Sequence, residues 1–152
     1  VYMGPRISEL LATGRSAYLQ RLVSRSVFML VLFITPLTFL CWFFAAEIMQ
    51  LFGSEFRSAN IVFRILLLSV YVSVVFGPVG YLLSMSGQEK FVAKASVGFA
   101  VLQITLWVVA IPGYGAPGVA VGQLSVMVIA NSIYAWHAHR TLGITVLPFS
   151  WR

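Results

Sequence analysis

The stretch Val27-Phe-Met-Leu-Val-Leu-Phe-Ile-Thr-Pro-Leu-Thr-Phe-Leu-Cys-Trp-Phe-Phe44 contains no charged residue. It continues to Leu51 with Glu47 as its only charge. About 20 residues of helix cover a hydrocarbon core about 30 Å thick, so this run alone is long enough to cross a bilayer. Working outward, three more runs of similar character follow, at Ile61–Met85, Phe91–Ile111 and Gly118–Trp136. Hydrophobic residues make up 60% of the chain and charged ones 9%, too few to coat four such runs with a polar exterior. Period-2 alternation is absent, and in hydrocarbon only a helix or a closed barrel satisfies its own backbone groups. The sequence therefore predicts an all-α membrane protein: four transmembrane helices in two antiparallel hairpins, with the lipid bilayer as their surroundings.

Composition limits what else the chain can contain. A mean hydropathy of +0.93 over 152 residues leaves one membrane unit and no separate soluble domain. Three segments are predicted: a cytoplasmic amphipathic linker helix over 1–26, a membrane segment over 27–136, and a cytoplasmic tail over 137–152. In the linker, Ile7, Leu10, Leu11, Tyr18, Leu19 and Leu22 fall near helical spacing between arginines, with a bend expected at Thr13-Gly14. The net charge of +6 does not indicate nucleic acid, because the basic residues sit between apolar runs, where they set orientation. Cys41, the single cysteine, lies inside the first run, which excludes a disulfide framework and a cysteine-based metal site. No signal peptide is recognisable, and an opening at Val1 leads us to expect a piece of a longer protein.

Lysines and arginines are distributed unevenly between the links. Arg6, Arg15, Arg21 and Arg25 precede run one, Lys90 and Lys94 open run three, and Arg140 and Arg152 follow run four. Against these eight, the opposite side has only Arg57 and Arg64, and the Pro112–Pro117 link has none. The positive-inside rule places both ends of the chain in the cytoplasm. Trp42 and Trp107 toward the outer ends, and Tyr134 and Trp136 toward the inner end, read as interfacial belts.

Small and polar residues give the runs faces. Ser69, Ser73, Gly77, Gly80 and Ser84 form a stripe on run two against which another helix should press. Gly77-Pro78 and Pro36 each remove a backbone donor and invite a kink; either they shape packing or they mark a flexing point of a transporter. On run four, Gly118, Gly122, Ser125 and Ser132 occupy one side, while Gln123, Met127 and Asn131 step by four on the other. An amide in lipid needs a partner or water. Gln123 and Asn131, with Gln103 on run three, therefore either make bonds between helices or line a translocation path.

Charged groups near the spans have plain and functional readings. Glu47 and Arg64 reach similar depth and either pair or snorkel separately to the interface. Lys90 and Lys94, one helical turn apart, are topology determinants or, with Arg64, contacts for an anionic lipid headgroup or pyrophosphate. His137 and His139 lack a neighbouring Cys, Asp or Glu, so no metal site is assigned. There is no aspartate for a Ser-His-Asp triad, Glu55 is the only carboxylate within the outer links, with Glu47 near the boundary, where glycosyl chemistry needs two acids at one site, and there is no phosphate-binding glycine loop. No catalytic residue, cofactor or enzyme activity is predicted.

The links carry a family resemblance. Ile48-Met-Gln-Leu-Phe-Gly-Ser-Glu-Phe-Arg-Ser-Ala59, Leu83-Ser-Met-Ser-Gly-Gln-Glu-Lys90 and Ile111-Pro-Gly-Tyr-Gly-Ala-Pro-Gly-Val-Ala-Val-Gly122 occur in that order at helix-length spacing. Together they resemble the C-terminal portion of bacterial polysaccharide flippases. These are the O-antigen and exopolysaccharide translocases of the multidrug/oligosaccharidyl-lipid/polysaccharide exporter superfamily. Gly4-Pro-Arg-Ile-Ser-Glu-Leu-Leu-Ala-Thr-Gly14 is similar to the linker before that family's ninth helix. The resemblance implies a protein of about a dozen helices in two halves, of which this chain would supply the last four. It also implies a lipid-linked oligosaccharide, undecaprenyl-pyrophosphate glycan, as the partner in polysaccharide and lipopolysaccharide biosynthesis at the bacterial inner membrane. The first eight helices would be further partners. The family's cavities rely on basic residues in earlier helices, and the spans here contain only Arg64, near a boundary, so no substrate-binding residue carries over. The alternatives are a multidrug cation antiporter of the same superfamily, expected to be acidic in the other half, and a membrane glycan polymerase or ligase, expected to have a long outer loop.

Overall fold

A computed structural model describes residues 16–143, with side chains described from Ser24 onward. All regular structure among the described residues is helical. Helix α1 spans Ser16–Phe43, α2 Ala45–Gln50, a 3-10 helix Ser54–Ala59, α3 Asn60–Phe76, α4 Val79–Leu83, a π-turn Ser84–Gln88, and α5 Glu89–Leu142. Residues 1–15 of the expected linker, and 144–152 of the expected tail, lie outside the described residues. From Ser16 the linker runs into the first apolar run as one helix, with no interruption at 26.

Two helical stretches, Ser24–Phe43 and Ser54–Leu142, are long and apolar enough to cross a membrane, with mean hydropathies of 2.2 and 2.1. Only 6% of the most apolar window of each is buried, so the apolar residues form the exterior of the molecule. Phe33 is 76% exposed, Phe43 72% and Val109 72%. In water an exterior of this kind would be an aggregation surface.

The breaks between helices follow backbone chemistry. Pro36 does not end α1; beside it Thr35 Oγ1 donates to the carbonyl of Val31 at 2.6 Å and meets Tyr71 Oη at 3.1 Å. Gly53 turns the chain at φ 135°, and Asn60 Nδ2 donates to the Arg57 carbonyl at 2.8 Å where α3 begins. At Gly77 (φ 68°, ψ −169°) the helix stops, in a region of backbone space essentially reserved for glycine. The Gly77 N–H shifts to the Val74 carbonyl at 3.0 Å, Pro78 has no N–H, and Val79 N–H turns to the Gly77 carbonyl at 2.8 Å. The stripe at 69-73-77-80-84 is thus divided, with Ser69 and Ser73 on α3, Gly80 on α4 and Ser84 in the π-turn, because the phase is lost at 77.

The Pro112–Pro117 link is helical except at Gly115, whose φ 57° and ψ −143° fold α5 back on itself. Contacts between the two arms, 89–114 and 116–142, are antiparallel: Gly122 lies against Leu106 and Trp107, Ser96 against Tyr134, and Phe91 against His137. Likewise α1 runs antiparallel to α3, with Thr35 at Tyr71 and Trp42 at Arg64. Gly143 caps α5 in the left-handed conformation and donates to the His139 carbonyl at 3.1 Å.

The core sits at one end of this arrangement. Val27, Val79, Leu82, Leu83 and Ala138 are buried together, with Val31, Phe91, Val92, Tyr134 and Leu142 packed around them. Short α4 is the keystone: three of its five residues, Val79, Leu82 and Leu83, are at most 1% exposed.

Candidate functional site

The polar face predicted on run four lies on the second arm of α5 and turns partly inward. Asn131 is 8% exposed and its Nδ2 donates to the Met127 carbonyl of its own helix at 2.8 Å. That bond satisfies the amide nitrogen within the helix, where a bond to another helix was one expectation. Gln123, on the same face, is half-buried. On α3, Ser69 is 2% exposed and its hydroxyl has no protein partner. The α3–α5 contact is the most extensive helix contact among the described residues.

Gln103 is on the first arm of α5, half-buried, with its amide nitrogen buried and without a protein partner. It faces the second arm at Gly122: a methyl built on that glycine would lie 3.9 Å from Gln103 Nε2 and 3.5 Å from Leu106 Cβ. The three candidate amides are thus not one row. Gln103 lies between the arms of α5, and Asn131 is buried within the helix assembly.

The opposite face expected on run four divides as well. Gly122 is buried, whereas Ser125 and Ser132 are exposed, and Ser125 Oγ donates to the carbonyl of Val121 at 2.9 Å. A serine bonded to its own helix needs no neighbour to be tolerated in an apolar setting.

Tyr134, read from sequence as a belt residue, is the hub of the α5 hairpin. Its hydroxyl meets Ser96 Oγ at 2.9 Å and the Val92 carbonyl at 3.4 Å. Its ring stands edge-on to Phe91 and Phe99 and fills the space beside Gly80 of α4. Next to it His137 stacks on Phe91, centroids 3.7 Å apart and planes at 11°, with Nε2 3.4 Å from Gln88 Oε1. His139 is exposed. The sequence signal for this cluster, Phe91, Phe99, Tyr134 and His137 at helical spacing on facing runs, is read only once the turn at Gly115 fixes the register.

The charged candidates lie at opposite ends. Lys90 and Lys94 are exposed in the first turns of α5, beside the end that carries Val27, Ala138 and Leu142. Arg140 lies over the Trp136 ring at 4.4 Å at the same end. Arg64 is at the other end, half-buried, its guanidinium 5.8 Å from the Trp42 ring centre and its Nε without a protein partner. Cation–π placement on a tryptophan is one way for an arginine to stand among apolar side chains.

Comparison of the chain with known protein families, with curated proteins and with solved structures gives no match.

Proposed function

We propose that the chain is the terminal four-helix part of a membrane transporter that flips a lipid-linked oligosaccharide, an undecaprenyl-pyrophosphate glycan, across the bacterial inner membrane. In this reading α1, α3 with α4, and the two arms of α5 are the four spans, paired as two antiparallel hairpins with both ends in the cytoplasm. The observation that carries it is the break at Gly77-Pro78, which interrupts an apolar helical run well inside its length. Broken helices at membrane depth are tolerated where protein or a cavity covers the freed backbone groups, and they are a recurrent device of transporters. The apolar exterior and the ordered link motifs support the same reading. Further helices of the transporter would cover part of that exterior, and Gln103, Gln123 and Asn131 are the candidates for the path.

Disruption of the coding frame in its host tests this. Lipid-linked oligosaccharide should accumulate in the cytoplasmic leaflet while surface polysaccharide falls. Unchanged lipid-linked pools with altered drug tolerance would favour the cation antiporter, and an altered polysaccharide length without accumulation would favour the polymerase. In the complete gene product, made cysteine-free, cysteines at Gln123 or Asn131 should react with a water-soluble thiol reagent if they line the path. Protection at both positions would remove them from it.

A further inference from the structure

Two N–H donors on the first arm of α5 have no protein partner although their atoms are buried: Gln103 Nε2 and Trp107 Nε1. They are one helical turn apart and so share a face. Both look onto the same place on the opposing arm, the bare α-carbon of Gly122. A methyl built there would be 3.9 Å from Gln103 Nε2 and 3.8 Å from Trp107 Cδ1, the ring carbon bonded to the indole nitrogen. Neither donor is explained by packing. An indole at a membrane boundary ordinarily keeps its N–H toward the headgroups, whereas this one is turned into the hairpin. A buried donor without an acceptor is costly, and a leucine or phenylalanine would fill either position without that cost.

We infer that Gln103, Trp107 and Gly122 form a two-donor site for one uncharged acceptor oxygen. Both named donors are uncharged, and a buried phosphate or carboxylate would need a countercharge that neither supplies, so the site suits a neutral oxygen. Gly122 keeps the opposing arm bare where that oxygen approaches. The oxygen belongs either to an ordered water, which satisfies several buried polar groups at once, or to a hydroxyl of a bound saccharide. The site stands independently of the flippase reading, since a water fulfils it equally well.

The test is NMR of the indole N–H groups of the full chain in lipid nanodiscs, labelled with ¹⁵N-tryptophan. The resonance of Trp107 is assigned by its loss in Trp107→Phe, leaving those of Trp42, Trp136 and Trp151. A water in the site gives magnetisation transfer from water to the Trp107 N–H, lost in Gln103→Leu. A saccharide hydroxyl instead gives a saturable shift of that resonance on titration with maltotriose, also lost in Gln103→Leu. Gln103→Met, closer in shape, repeats both arms if the leucine variant does not fold. The inference is overturned if the Trp107 N–H responds to neither water nor maltotriose, or if its response is the same with and without the Gln103 amide.

Discussion

At the scale of single residues, the two glycines of the Gly118-to-Gly122 pair have different jobs. A methyl on Gly118 would come within 2.6 Å of Tyr114 Cβ and 3.1 Å of Ala110 Cβ, closer than packed carbon atoms stand. Gly118→Ala should therefore destabilise the hairpin by about 1–3 kcal/mol, the usual cost of overpacking, read as a lower unfolding midpoint in detergent micelles. Gly98→Ala meets nothing within 4 Å and should not lower the midpoint. Equal loss at 118 and 98 would show that the close contact at Gly118 does not decide. Tyr134→Phe removes the bonds to Ser96 and Val92 but keeps the ring packing, and should cost about 0.5–1.5 kcal/mol; Tyr134→Ala, which also empties the space beside Gly80, should cost more. From sequence the small residues were visible, but which of them meets a neighbour was not, since contact depends on register across a turn whose position the apolar pattern leaves undefined.

At the scale of elements, the helices were legible because their apolar runs are long, and the breaks were legible in part. Gly77-Pro78 interrupts the helix because two residues act together: one lacks a donor and the other occupies a conformation closed to side chains. Pro36 removes a donor too, but the helix continues through it, so proline alone did not decide. In the same way Pro112 and Pro117 both remain in helical conformation, and the reversal of α5 falls on Gly115 alone. Nothing in the local sequence separates Gly115 from Gly113 as the turning residue. The structure does: Gly115 is at φ 57° and Gly113 is helical, with open space around its α-carbon. Gly115→Ala should cost about 1–3 kcal/mol through backbone strain alone, and Gly113→Ala should be neutral or slightly stabilising through its better helix propensity. Thermal unfolding of the two variants side by side checks this, and equal midpoints would mean that the reversal is not confined to Gly115.

At the scale of the whole molecule, orientation follows from where the fold gathers its charges. The sequence assigns lysines and arginines to links, and only an assumed number of crossings puts those links on common sides. The structure groups them without that assumption, because Val27, Phe91, Ala138 and Leu142 pack in one cluster. Arg25, Lys90, Lys94 and Arg140 therefore lie toward one end of the molecule, with Glu89 the only carboxylate beside them among the described residues. The far end has Arg57 and Arg64 with Glu47 and Glu55, and no net charge. The candidate site was legible to a smaller extent: Asn131 and Gln123 were singled out by their spacing, whereas the pairing of Gln103 with Trp107 over Gly122 required the fold-back at Gly115. Retention of basic residues on the cytoplasmic side then predicts that reporter fusions at Gln88 and after Arg152 are cytoplasmic, and fusions at Ser54 and Gly113 periplasmic. Because the rule depends on lysine and arginine near the span ends, Lys90→Gln with Lys94→Gln and Arg140→Gln should yield a mixed population at Gly113, while Arg57→Gln should sharpen the original pattern. A periplasmic fusion after Arg152 in the unaltered chain would contradict the cytoplasmic C-terminus and with it the flippase proposal.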